Sequence, residues 1–158
     1  NVVPINQGMS AESGVLKLYD YPSNDGSSHA SLFRDVITEI HGACDAVAHE
    51  VSLTTIDDFM IAENIMEIDL LKIDTEGNEL AVLRGGANAI ANRKIKAIHF
   101  EFNEMNVASR VYFRDFWKLL RDYQFYRLLP NDMLEIKNYS PLSCEIFAFQ
   151  NIVAILKD

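Results

Sequence analysis

The sequence predicts an α/β domain: a mostly parallel sheet covered by helices, closed by an antiparallel C-terminal pair. Three observations predict it. Strand-like and helix-like stretches alternate after residue 54, the pattern of parallel strands joined by helical crossovers. The apolar run Leu70-Leu71-Lys72-Ile73 passes directly into Asp74-Thr75-Glu76-Gly77-Asn78-Glu79 and an apolar-striped helix. A second run, Ile98-His99-Phe100-Glu101-Phe102, carries another carboxylate at its end. At 158 residues the chain is long enough to bury a full core as a single domain over 1–158.

The elements follow in order. Val2-Val3-Pro4-Ile5 is a short strand-like run, and residues 6–10 turn away from it. Val15-Leu16-Lys17-Leu18-Tyr19 alternates as a half-buried strand does. Residues 22–28 hold Asn24-Asp25-Gly26, which favours a turn. Residues 31–41 carry a weak helical pattern, and residues 48–53 form a strand that pairs antiparallel with 15–19. Thr55 is placed to cap a helix with Asp58 in its first turn, where negative charge meets free N–H groups. Residues 68–73 are the next strand, and Asn78 is a candidate cap for the helix carrying Leu80, Leu83, Ala87 and Ile90. Gly85-Gly86 interrupts that helix. Strand 95–102 leads through a loop at 103–106 to the strongest helix, 111–123, where Phe113, Phe116, Trp117 and Leu120 recur at helical spacing as core residues. Residues 125–129 are strand-like and turn at Pro130; 146–149 and 152–156 are expected to pair antiparallel.

Side chains at the carboxyl end of a strand in an open α/β sheet face the ligand crevice. Right-handed crossovers bring the ends of strands 68–73 and 95–102 to one edge. Asp74, Glu76, Glu79 and Glu101 are therefore candidate site residues. Such a cluster can ligate a hard divalent cation, supply a general base, or hydrogen-bond sugar hydroxyls. The plain alternative is that Glu76 and Glu79 decorate the first helical turn. His99 stands two residues before Glu101, so both share a strand face; it is either a satisfied rim histidine or a substrate contact. Asn103 and Asn106, just beyond Glu101, are placed to line a pocket. His29, His41 and His49 lack metal-ligand spacing, and Ser27-Ser28-His29 has no nucleophile elbow.

The net charge of −9 argues against nucleic-acid and anionic-membrane partners, since phosphate surfaces attract basic ones. Acids dominate from Glu50 to Glu79, where Lys72 is the lone base, and the balance reverses from Arg84 to Arg127. An acidic rim beside a basic flank and two solvated surfaces both fit that pattern. Cys44 and Cys144 form no CxxC, which fits a reducing, cytoplasmic setting or two inert buried thiols. No apolar run reaches spanning length. Neither GxGxxG nor GxxxxGK[ST] occurs.

Leu71-Lys72-Ile73-Asp74-Thr75-Glu76-Gly77-Asn78-Glu79, continued by Val82-Leu83-Arg84-Gly85-Gly86, resembles the FkbM family of S-adenosylmethionine-dependent methyltransferases. The likeness extends to Ser52-Leu53-Thr54-Thr55-Ile56-Asp57-Asp58-Phe59, to His99-Phe100-Glu101, and to residues 6–14. It implies a class I methyltransferase sheet, a Rossmann-like three-layer sandwich, and methyl transfer to a hydroxyl of a small molecule or sugar. By the same resemblance Met9 and Ser10 lie near the adenine of S-adenosylmethionine, and Asp74 stands close to methyl donor and acceptor. Asp74, Glu76 and Glu101 form the catalytic set, and Glu79, His99 and Asn103 the acceptor side, with a divalent metal allowed. The glycine-rich first loop of the family has no counterpart, so the chain is expected to be the later two-thirds of a longer domain. An exposed sheet edge would then favour pairing between copies. Two rival readings remain: a non-catalytic methyltransferase-like domain, and a Mg²⁺-dependent phosphoryl-transfer or hydrolase enzyme using Asp74, Glu76 and Glu101.

Overall fold

A computed structural model describes residues 2–22 and 30–158. The turn expected at 22–28 lies outside the described residues but for Pro22 at its edge, and His29, expected at the surface, lies outside them as well. The strands divide into two sheets. In the first, β3 (Val47–Thr54) is central, with β1 (Gly8–Met9) parallel on one side and β2 (Gly14–Asp20) antiparallel on the other. The antiparallel pairing expected of 15–19 with 48–53 is present. The second sheet has the order β4 (Ile68–Ile73), β5 (Ile95–Phe102), β8 (Gln150–Leu156), β6 (Tyr123–Leu128), β7 (Met133–Ile136).

This arrangement corrects the expected mostly parallel sheet. In the five-stranded sheet only β4 and β5 pair parallel; β5–β8, β8–β6 and β6–β7 are all antiparallel. The helical crossovers are there, but the last strand enters between β5 and β6 and runs against both. Its five consecutive apolar residues, Ile152-Val153-Ala154-Ile155-Leu156, suit an interior strand that hydrogen-bonds on both sides. The expected pair of 146–149 with 152–156 does not form, and the Val2–Ile5 run is exposed coil. The short turn after β6 folds β7 back as a hairpin.

The helices are α1 (Ile56–Ala62), α2 (Glu79–Arg84), α3 (Ala87–Ala91), α4 (Met105–Ala108), α5 (Phe113–Leu119) and α6 (Pro141–Cys144), with a π-helical turn at Val36–Ile40. Gly85 and Gly86 part α2 from α3 as the sequence suggested. Ile56, Leu83, Ile90, Phe113, Phe116 and Leu120 pack against Ile73, Ile98, Phe100, Phe102, Phe125 and Ile152 to form the core. Phe116 stacks on Phe100 at 4.5 Å between ring centroids, and Phe113 meets Phe102 edge-on at 5.4 Å. Cys44 is exposed, Cys144 is buried, and both are free thiols. Among the described residues no helix is long and apolar enough to cross a membrane.

Two caps hold the helices against the sheet. Thr55 Oγ1 accepts from Asp58 N at 2.9 Å, the cap expected from sequence. Asp57 accepts from Asn88 N and Ala89 N at 3.0 and 2.9 Å, so one short helix caps another. Thr55→Ala is expected to cost about 1 kcal/mol, the usual value of a lost N-cap. A urea midpoint unchanged by that substitution would count against it.

Candidate active site at the ends of β4 and β5

Register places the acids. Ile73 pairs with Phe100, and both point into the core. Glu101, the next residue on β5, faces the other way because side chains alternate, and Asp74 is the first residue past the end of β4, near enough for its charge to act on Glu101. Glu101 is also in register with Asn151 on β8, and His99 with Lys72 and Val153. One row thus reads Glu101 and Asn151 across β5 and β8, with Lys72, His99 and Val153 in register two residues back along β5 and Asp74 just past the end of β4.

The charges interact as neighbours. Burial, followed by the negative charges of Asp74 and Glu76, holds the Glu101 carboxyl up at about 6, and Lys72 partly offsets them. Lys72 Nζ donates to Asp74 Oδ2 at 2.5 Å, with both side chains about half exposed. Asn103 Nδ2 donates to Glu101 Oε2 at 3.3 Å. Asn103 Oδ1 accepts from Met105 N at 3.0 Å and Asn106 Oδ1 from Asn103 N at 2.9 Å, so the residues expected to be loop instead cap α4. The His99 ring is engaged by Asn151, with 2.8 Å between Nε2 and Oδ1.

The turn after β4 is unusual. Glu76 has φ 49°, the left-handed region that costs a non-glycine residue about 1–2 kcal/mol, and Gly77 has φ 101°. A Cβ on Gly77 would meet Met105 O at 3.2 Å, so glycine is needed for space as well as for φ. Ser31 Oγ donates to Glu76 O at 2.7 Å. Glu79 is buried, and burial raises its pKa.

Met9 meets this turn directly: Asn78 Nδ2 donates to Met9 O at 3.2 Å. Beside them lies a cleft of about 210 Å³ walled by Met9, Leu18, Leu32 and Leu53, with Asp74 and Asn78 on its polar side. Ser10 is buried outside that lining and donates its N–H to Thr54 O at 2.9 Å. A larger hollow of about 460 Å³ between α1 and α3 is lined by residues such as Met60, Ile61 and Lys94 and contains none of the four acids. Volume alone would select it; the smaller cleft is the one that Asp74 lines, with Glu76, Glu79 and Glu101 outside its lining. Among the described residues no group of three His, Cys, Asp or Glu side chains is placed to hold a metal ion.

Sequence reasoning overlooked Asn151 and gave Lys72 no role at the site. Asn151 interrupts an otherwise apolar final strand, a signal that was present. Its place opposite Glu101 depends on β8 entering the middle of the sheet, which was not.

The fold is α/β, with a parallel strand pair whose ends hold Asp74 and Glu101 and with Asp74 lining a mixed apolar and polar cleft. The Methyltransferase FkbM domain model matches residues 4–126, well over half of the chain. The chain belongs to that family. Membership supports a generic methyl-transfer role, with which binding of S-adenosylmethionine is consistent. No curated protein and no solved structure matches the chain.

Proposed function

We propose that the joined ends of β4 and β5 carry S-adenosylmethionine-dependent methyl transfer to a hydroxyl of a small molecule or sugar. The observation that carries this reading is the Glu101 carboxyl, held at about 6 beside Asp74 and Glu76. A group with that pKa is largely ionised at neutral pH and still basic enough to take a hydroxyl proton. Glu101 is therefore the proton acceptor. Asp74, whose Oδ2 is occupied by Lys72, supplies negative charge instead.

The cleft residues fit part of the donor. Met9, Leu18, Leu32 and Leu53 offer apolar walls, and Asp74 offers an anion suited to a sulfonium. Its 210 Å³ falls below the roughly 300–1,000 Å³ of ligand pockets, so it suits one end of that elongated molecule. When bound, the donor supplies an electrophilic methyl group. The chain's own residues orient the acceptor hydroxyl, with Glu101 placed to receive its proton and Asn103 holding the Glu101 carboxyl. Fixing two reactants in line supplies much of the acceleration in such reactions.

Calorimetric titration tests the donor assignment. S-adenosylhomocysteine is expected to bind; no heat and no thermal shift would overturn the reading. Asp74→Asn should weaken S-adenosylmethionine about fivefold more than the uncharged thioether product, the equivalent of about 1 kcal/mol for a partly exposed charge pair.

A further inference from the structure

Glu79 is the only buried carboxylate among the described residues. Its Oε1 accepts from Thr75 N, Thr75 Oγ1 and Gly77 N, each at 3.1 Å. These donors flank Glu76, the residue with the left-handed backbone. A turn of that shape does not hold itself, because its N–H groups point inward and its φ is unfavourable. Glu79 answers both needs from beneath, while Ser31 ties Glu76 O from the side.

We propose that Glu79 is a positioning residue: its single acceptor oxygen fixes the 75–77 turn and thereby sets Asp74 and Glu76 against Glu101. The inference rests on the site reading given above, but its geometry does not depend on methyl transfer. Among the described residues Oε2 is buried without a hydrogen-bond partner. The role therefore requires one oxygen at the right reach and no negative charge.

Two conservative variants divide the possibilities. Glu79→Gln keeps the reach and the acceptor oxygen but loses the charge; Glu79→Asp keeps the charge but falls a methylene short. The readout is the Glu101 carboxyl followed by ¹³C NMR across pH, assigned by its disappearance in Glu101→Gln. Glu79→Gln should lower the Glu101 midpoint only slightly from about 6, since the Glu79 charge is the smallest of the causes that raise it. Glu79→Asp should move it partway toward the ordinary glutamate value of about 4.3, because Asp74 and Glu76 are released from its side. A residue that merely stabilised the fold would lower the melting temperature without moving that midpoint. The reverse order, with Gln disruptive and Asp silent, overturns the proposal. So does an Asp variant that fails to fold, which would make Glu79 a residue of the whole core. Failure to bind S-adenosylhomocysteine would sink the methyl-transfer reading and leave this titration interpretable.

Discussion

Glu101→Gln is expected to slow methyl transfer by about 100- to 10,000-fold, the range for loss of a general base. The amide keeps the size of the carboxyl and an oxygen that can still accept from Asn103 Nδ2. The fold and product affinity should therefore persist while kcat falls. The pH profile gives a second check. In the unmodified chain the rate should rise through a midpoint near 6 as Glu101 loses its proton, and the variant should lack that limb. Stability follows the opposite sign. The Glu101 pKa is raised in the folded state, so its contribution is fully present below 4.5 and is lost as pH rises through about 6. Glu101→Gln should remove that part of the pH dependence and gain on the unmodified chain at neutral pH. A variant with full activity, or with the same acid limb, would assign the proton to another group.

Gly85→Ala is the substitution expected to damage the fold most for its size. A Cβ there would stand 2.1 Å from Ser10 O and 3.2 Å from the Thr55 side chain. The obstruction is backbone, and Ser10 is itself tied to Thr54 through its N–H. No rotamer change relieves it, so β1 and α2 must separate. The expected cost is about 3 kcal/mol, the upper part of the range for overpacking. Met9 lines the cleft and adjoins Ser10, so S-adenosylhomocysteine affinity should fall as well. Gly86→Ala makes the contrast. Its Cβ would meet Ile56 side-chain atoms at 3.1 to 3.3 Å, and a side chain can shift; about 1 kcal/mol is expected, the low end of that range. Equal urea midpoints for the two variants would show that the Ser10 approach does not matter.

Much of the local structure was legible. The Thr55 cap, the break at Gly85-Gly86 and the aromatic stripe of α5 each follow from neighbours in sequence, and the strand patterns of 15–19 and 48–53 were enough to suggest their pairing. Caps, helix breaks and side-chain period act over a few residues, where a linear reading has full information. Other features were not legible. The Asp57 cap on α3, the Glu145 carboxylate on Phe113 N and Arg114 N, and the Ser10 contact with Gly85 join residues far apart in the chain. The 103–106 segment was read as loop because a one-turn helix leaves too little periodicity to detect.

The sequence by itself determined which residues could do chemistry: a strand ending at Asp74, another at Glu101, and the run between Lys72 and Glu79 that marks the family. It also determined that the two strands run parallel, because a helix separates them. Tertiary structure decided the rest. Placing β8 between β5 and β6 turned most of the sheet antiparallel and put Asn151 beside Glu101. Burying Glu79 under its turn joined three donors on one oxygen, and burial of Glu101, with Asp74 and Glu76 brought close, raised the Glu101 pKa. Strand order, burial and the summed field of charges depend on which distant segments meet, and that is a property of the packed chain.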